Sequence, residues 1–170
     1  LIADHTYLLD GGYCICSEIR SQFSGEHYEE FEAPYLKEIG QAVGKLHIHV
    51  SGPIEQSVPA TLRDPNITHF KFWLRDCDLR RVSELVGNRV SMDFFCNDCM
   101  PEIGFSDAVD FYKHIFLNTR PETRWTVPHT WFAGNHPAHP RTWTDAFNLA
   151  YDELEKNGTL PAHVRAFGRI

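Results

Sequence analysis

The stretch that decides the fold is Lys45-Leu46-His47-Ile48-His49-Val50, in which polar and apolar residues alternate strictly. Such alternation is typical of a β-strand with one apolar face. A helical pattern precedes it over residues 26–43, because four apolar residues recur at every fourth position: Phe31, Tyr35, Ile39 and Val43. Tyr28 and Leu36 widen this apolar stripe. Gly44 is placed to end that helix. We therefore expect a helix whose apolar stripe lies in the core, followed directly by a strand.

The alternation of helices and strands continues towards the C-terminus. Further strands are predicted at residues 67–72, 89–94 and 124–127, where β-branched and aromatic residues are frequent. Two helices are predicted to begin at the capping residues Asp76 and Ser106, and a last helix covers residues 143–156. Strands that alternate with helices form parallel sheets with right-handed crossovers. The sequence thus predicts an α/β fold whose strands pair in chain order.

Each predicted strand carries polar residues on one face: His47 and His49, His69 and Lys71, Ser91 and Asp93, and Arg124 or Thr126. The strands of a doubly wound sheet are usually almost continuously apolar. A (β/α)8 TIM barrel instead gathers polar side chains in its lumen, near the C-terminal strand ends where the active site forms. We therefore predict a barrel. Because 170 residues fall short of the roughly 250 of a complete barrel, we expect residues 1–170 to form one partial-barrel domain.

Composition and charge argue against several classes of partner. The net charge of −7 repels polyanions, so we expect no nucleic acid to bind. No apolar run approaches the roughly 20 residues of a membrane span, and the first residues lack the basic region of a secretory signal. We expect no membrane partner and a cytoplasmic location, where the five cysteines remain free thiols. The opening Leu1-Ile2-Ala3, without Met, suggests a segment of a longer protein.

An ordered series of motifs resembles the uroporphyrinogen decarboxylase superfamily. It comprises a Pro-Tyr-containing helix over residues 24–39, a strand ending His49-Val50-Ser51-Gly52, the tripeptide Cys96-Asn97-Asp98, and the turn Thr126-Val127-Pro128-His129-Thr130. The resemblance implies a (β/α)8 barrel of which this chain covers the C-terminal half. The superfamily includes the porphyrin decarboxylase and zinc-dependent methyltransferases that move a methyl group from a corrinoid to a thiol or a folate. The chain is closest in character to the methyltransferases.

The same resemblance implies a zinc site at His49. The methyltransferases hold zinc with the His and Cys of His-x-Cys-Gly and with a later Cys, but Ser51 and Thr130 stand at the two cysteine positions here. His47 and His129 would replace the thiolates with imidazoles, and residues two apart on a strand face lie about 7 Å apart. We expect His47, His49 and His129 to bind zinc at the barrel mouth. The alternative is that the histidines are polar lumen residues.

Three further residues are candidate catalytic groups: Asp10, where the family often places a functional carboxylate, and the inward-facing Lys71 and Asp93. Our first hypothesis is methyl transfer involving a small-molecule or corrinoid-protein substrate. The second is a metal-independent decarboxylase-like reaction, in which Asp10 orients a pyrrole-like substrate while Lys71 and Arg124 hold its carboxylates. The third is a non-catalytic piece that completes a barrel with another chain or with the missing N-terminal half. Cys96 and Cys99 end a predicted strand and offer a further ligand or nucleophile.

Overall fold

The computed structural model describes residues 12–94, 105–126 and 140–170. Its centre is a five-stranded, wholly parallel sheet in the order β1-β2-β3-β4-β5. The strands are β1 (Tyr13–Cys16), β2 (Leu46–Val50), β3 (Ile67–Phe72), β4 (Ser91–Phe94) and β5 (Arg124–Thr126). The predicted parallel pairing in chain order is confirmed for β2 to β5. β1 was not predicted as a strand, and it pairs with β2 at one edge of the sheet.

In the described parts of the chain, seven α-helices connect and follow the strands. They are α1 (Gly25–Phe31), α2 (Ala33–Val43), α3 (Val58–Thr61), α4 (Leu79–Val86), α5 (Ala108–Asn118), α6 (Pro140–Lys156) and α7 (Ala162–Phe167). Two short 3-10 helices follow β1 and β3, at Glu18–Gln22 and Leu74–Asp76. No helix among the described residues combines the length and the apolar character that a membrane span needs.

The predicted helix over residues 26–43 is broken, and only part of its apolar stripe lies in the core. The chain turns at Glu32 between α1 and α2, and Pro34 stands at the start of α2. Proline lacks the N–H that an unbroken helix would bond there. Phe31 and Tyr35 are 55% and 65% exposed. Tyr28 and Leu36, which widen the predicted stripe, are buried as expected.

Two helices begin one or two residues later than predicted. Asp78, not Asp76, caps α4, and its carboxylate accepts a hydrogen bond from the Arg81 N–H (3.0 Å). Asp107, not Ser106, caps α5 by accepting from the Asp110 N–H (2.9 Å). In both cases the aspartate is the residue directly before the first helical residue, where its oxygen reaches the free N–H groups of the first turn.

The sheet has one apolar face and one polar face. Leu46, Ile48 and Val50 of β2 belong to the same core cluster as the apolar residues of the neighbouring strands and the residues that the helices bury. Side chains alternate along a strand, so His47 and His49 lie on the opposite face. In a parallel sheet the register then aligns polar residues of successive strands across that face. This alignment positions the candidate site.

Candidate functional site

Two rows of polar side chains cross the sheet on its polar face. The register aligns the row nearer the C-terminal strand ends as Cys16, His49, Lys71, Asp93 and Thr126. A second row lies two residues earlier on each strand and contains Cys14, His47, His69, Ser91 and Arg124. The centre of the face is buried, because Lys71 is 2% and Asp93 3% exposed. Charged groups held away from water at strand ends are typical of a functional site.

A thiol, a carboxylate and an imidazole meet at one end of the first row. The Cys16 sulfur lies 3.4 Å from His49 Nδ1, and Glu18 Oε1 lies 3.9 Å from His49 Nε2. One ligand atom from each of the three residues can be chosen so that all three atoms lie within 4.8 Å of one another. Cys16 and Glu18 are exposed, whereas His49 is buried. The group therefore combines three metal-ligand types with access from solvent.

Glu18 is held in place by the residues that follow the next two strands. The Ser51 N–H donates a hydrogen bond to Glu18 Oε2 (3.0 Å). Trp73 Nε1 in turn donates to the Ser51 hydroxyl (3.2 Å). Hydrogen bonds thus connect the end of β1 to the end of β2, and the end of β2 to the end of β3. Ser51 therefore contributes its backbone to the position of a carboxylate.

A buried ion pair fixes the 3-10 helix that carries Glu18. Arg20 is 1% exposed and donates two hydrogen bonds to Glu32, from Nη2 to Oε1 (2.6 Å) and from Nε to Oε2 (3.2 Å). The Ser17 hydroxyl donates to the same carboxylate (2.5 Å), and the guanidinium lies over the Tyr28 ring. The segment between Cys16 and Glu18 is therefore anchored to the break between α1 and α2.

Residue 52, which ends the His49-Val50-Ser51-Gly52 motif, has to be a glycine because of its backbone conformation and because a neighbouring side chain lies close to it. Its φ is +106°, and an added Cβ would lie 2.7 Å from the Ser21 Cβ. We expect Gly52→Ala to lower the free energy of unfolding by about 2–3 kcal/mol, because strain from positive φ and a steric overlap add. Urea denaturation measures this loss. Gly44→Ala is the control, since Gly44 also has positive φ but open space around it; equal losses in both variants would contradict the expected overlap.

Asp93 and Lys71 form a buried pair at the centre of the first row. They are register partners on β4 and β3, and the Thr126 hydroxyl donates a short hydrogen bond to Asp93 Oδ1. Burial raises the pKa of Asp93 from 3.8 to about 6, although the Thr126 hydrogen bond and the Lys71 charge oppose the rise. A carboxyl group that titrates near neutral pH is suited to general acid–base catalysis.

The second row contains two histidines whose rings are in contact at a tilt of 39°. The His47 and His69 ring centroids lie 4.0 Å apart, and His69 Nδ1 lies 2.9 Å from the Thr68 hydroxyl. The absence of a side chain at Gly12 leaves room for His47, because a Cβ there would lie 2.8 Å from His47 Nε2. His47 is thus close to His69, whereas His49 lies beside Cys16 and Glu18.

The predicted site residues divide into three sets. His49 joins the Cys16–Glu18 group, Lys71 and Asp93 come together as neighbours, and the His47 ring contacts the His69 ring. Asp10, His129, Thr130 and the Cys96–Cys99 pair lie outside the described residues. Cys16 and Glu18 were not predicted as ligands, although the spacing Cys14-x-Cys16 resembles that of two same-face strand residues.

No family model, curated protein or solved structure matches this chain.

Proposed function

We propose that this chain is part of a (β/α)8-type enzyme that holds a zinc ion through Cys16, Glu18 and His49 and transfers a methyl group between a corrinoid and an acceptor. The observation that carries the proposal is the meeting of three different ligand types within 4.8 Å at the C-terminal ends of β1 and β2. The resemblance to the uroporphyrinogen decarboxylase superfamily supplies the reaction class. It also assigns His49, which matches the histidine of the family motif, as a zinc ligand.

The strand order supports a barrel architecture. A doubly wound sheet reverses its order at a switch point, whereas these strands follow one another without reversal. The apolar strand face and the helices share a single core cluster, as expected when helices surround a barrel. Polar residues then face the lumen, and the Cys16–Glu18–His49 group lies at the mouth, where barrel enzymes place their active sites.

The donor set fits zinc. Bond lengths of about 2.3 Å to sulfur and 2.0 Å to nitrogen at a tetrahedral angle place two ligands about 3.5 Å apart, close to the 3.4 Å between Cys16 Sγ and His49 Nδ1. Glu18 would provide the third ligand, so that the soft thiolate at Cys16 replaces those absent at Ser51 and Thr130. A zinc ion with three protein ligands supplies an open position at which an acceptor thiol is bound and made acidic.

The residues of the first row then have distinct roles. Glu18 is held by the Ser51 N–H, which fixes the carboxylate before any ligand arrives. Asp93, with a pKa of about 6, lies two strands from His49, so the acceptor's proton would reach it through solvent in the lumen and not directly from the zinc-bound thiol. Lys71, which lies between them, would stabilise the negative charge that remains on the acceptor. The methyl group moves to the acceptor sulfur, and the bonding electron pair remains with the corrinoid cobalt.

We also propose that further strands complete the barrel, supplied by another chain or by another part of a longer chain. Within the described ranges, β1 and β5 each pair with a single strand, so each leaves one backbone edge available for pairing. A barrel has no such edges, because its first and last strands pair. The partner should therefore supply additional parallel strands together with their helices.

Metal analysis of purified variants tests the proposed zinc site. Protein prepared without chelator or histidine tag should contain about one zinc per chain. His49→Ala and Cys16→Ser should each reduce the zinc content to less than about a tenth, because each removes one of only three protein ligands. Elemental analysis of each variant gives the ratio. Loss of methyl transfer from methylcobalamin to coenzyme M should accompany the loss of zinc.

Two further histidine variants test whether the loss of zinc is specific to the proposed ligands. His27 lies on α1, where its N–H donates to the Ser24 hydroxyl, so His27→Ala should leave the zinc content unchanged. His47→Ala distinguishes between ligand sets: retained zinc supports Cys16, Glu18 and His49, whereas complete loss supports the predicted set of His47, His49 and His129. A parent protein with far less than one zinc, unaffected by any substitution, would contradict the metal site.

A second candidate function is a metal-independent decarboxylase-like reaction, which the buried Asp93–Lys71 pair favours. Decarboxylation requires a proton donor for the carbon that loses CO2, and the raised pKa of Asp93 lets its carboxyl group donate near neutral pH. Lys71 would hold a substrate carboxylate beside it. Treatment with a chelator distinguishes the two candidates, because only the decarboxylase-like reaction would continue after complete removal of zinc.

A further inference from the structure

One flank of α2 carries exposed apolar side chains. Tyr35, Ile39 and Val43 are spaced four residues apart, so they share one face of the helix. Tyr35 is 65% and Ile39 39% exposed, and Val43 is only partly buried against the core. We call these three residues the apolar flank of α2. A row of large apolar residues that stays exposed marks a surface that another element covers.

The apolar flank points towards the edge of the sheet at β1. The other flank of α2 faces β3, because Lys37 and Gln41 line a groove together with residues 63–66, which precede that strand. Ile39 is about 160° round the helix axis from Lys37. It therefore points away from β3, and β1 is the strand that pairs with β2 on that side.

The apolar face of β1 is also incompletely covered. Tyr13 and Ile15 pair in register with Leu46 and Ile48, so the four side chains share one face of the sheet. Leu46 and Ile48 are fully buried, whereas Tyr13 and Ile15 are only half-buried. The helix layer therefore leaves room over β1, directly beside the apolar flank of α2.

The chain enters the described part of the structure beside this room. Residues 1–11 lie outside the described residues. The Tyr13 N–H donates to the Lys45 carbonyl (2.9 Å), and a Cβ on Gly12 would lie 2.9 Å from the same oxygen. Lys45 follows the last residue of α2, Val43, by two positions. The segment before Gly12 is therefore attached beside the C-terminal end of the apolar flank.

The sequence of this segment matches the flank in length and in apolar character. On an α-helix, four apolar residues of the segment would share one arc of about 120°: Leu1, Ile2, Leu8 and Leu9. Gly11 follows, and glycine is favoured just past the end of a helix. Nine helical residues span about 14 Å, and Tyr35 and Val43 are about 12 Å apart along α2 by the same rise per residue.

We propose that residues 1–9 form an amphipathic helix that packs beside α2 and covers its apolar flank. Both helices then run towards the N-terminal strand ends, so that Leu9 lies near Val43 and the first residues lie near Tyr35. Tyr7 lies on the opposite side of the proposed helix and faces solvent. The proposal depends neither on zinc nor on methyl transfer, because it uses the outer layer and not the polar face of the sheet.

Nitration of tyrosines tests whether the flank is covered in the full chain. With tetranitromethane, Tyr35 should react at least about tenfold more slowly in the parent than in Leu9→Asp, because a charge on the packing face releases the segment. Peptide mass spectrometry gives the rate at each tyrosine. Tyr7→Asp is the matched control and should leave Tyr35 protected. Tyr28 is 1% exposed and should stay unmodified in all three proteins, which shows that the rest of the chain is folded.

Thermal unfolding tests the contact from the side of α2. Ile39→Asp should lower the Tm by about 4–8 °C, because it places a charge in an apolar contact. Leu149→Asp is the control, since Leu149 is 48% exposed on α6, and it should lower the Tm by less than about 2 °C. Leu9→Ala and Ile39→Ala combined should lower the Tm by less than the sum of their separate effects, because both remove the same contact.

Three results would overturn the proposal. The first is a rate of Tyr35 nitration that is equal in the parent and in Leu9→Asp. The second is a strictly additive effect of Leu9→Ala and Ile39→Ala on the Tm. The third comes from sedimentation velocity: a dimer that dissociates in Ile39→Asp but persists in Leu9→Asp would assign the flank to a second copy of the chain.

Discussion

Arg20→Ala should lower the free energy of unfolding by about 3–5 kcal/mol, because it removes one partner of a buried ion pair and leaves the other without a counter-charge. Arg20 is 1% exposed and Glu32 is 14% exposed in this pair. The guanidinium also packs over Tyr28, with its central carbon 4.7 Å from the ring centroid. Urea denaturation followed by circular dichroism measures the loss.

The exposed pair of Arg165 and Glu155 is the matched control. Its atoms are 2.9 Å apart, but Arg165 is 52% exposed, so Arg165→Ala should cost less than about 1 kcal/mol. Arg20→Lys should be intermediate, because a lysine keeps the charge but not the two parallel hydrogen bonds. If Arg20→Ala cost no more than Arg165→Ala, the ion pair would not anchor the segment that carries Cys16 and Glu18.

The difference in unfolding free energy between Asp93→Asn and the parent should shift in favour of the variant by up to about 3 kcal/mol as the pH rises to neutral, on top of the pH-independent cost of removing this partner of Lys71. Burial raises the pKa of Asp93 from 3.8 to about 6 in the folded chain, so the folded state favours the protonated carboxyl. Its stabilising contribution is complete below the unfolded pKa and is lost as the pH rises through about 6. Asparagine does not titrate. The shift should therefore develop between about pH 4 and about pH 7.5.

Denaturation of both proteins across this pH range gives the difference in unfolding free energy. Carbon NMR of the Asp93 carboxyl independently gives the midpoint of its titration. Asp145 is an exposed carboxylate on α6, and Asp145→Asn should change stability by less than about 0.5 kcal/mol at any pH in the range. A pH-independent effect of Asp93→Asn, or a carboxyl midpoint near 4, would refute the assignment.

The main strands could be predicted because the alternation of apolar and polar residues that identifies them lies within each strand. Alternation in residues 45–50 alone places His47 and His49 opposite Leu46, Ile48 and Val50, and the same pattern brings Lys71 and Asp93 to one face. β1 was missed because it is a four-residue edge strand whose residues are half-buried or exposed. β1 therefore lacks the complete burial of β2, which goes with the strict alternation of apolar and polar residues in that strand.

The broken helix and the Cys16–Glu18–His49 group depend on long-range contacts. The stripe from Phe31 to Val43 is consistent with one helix, but Glu32 lies at a break and bonds to Arg20, twelve residues earlier. Cys16 reaches His49 only through pairing across 33 residues of chain. The register of that pairing, which puts Cys16 beside His49 rather than beside Ile48, is absent from either segment alone.

The strictly sequential strand order has a consequence for the growing polypeptide. Among the described residues every strand pairs only with its neighbours in sequence, so no pairing has to wait for a distant part of the chain. The thiol, carboxylate and imidazole come together once residue 50 has left the ribosome and β2 has paired with β1. Asp93 emerges more than forty residues later, and Thr126 another 33 residues after that. During synthesis Cys16, Glu18 and His49, the proposed zinc ligands, would therefore meet before Asp93, the proposed proton acceptor, exists.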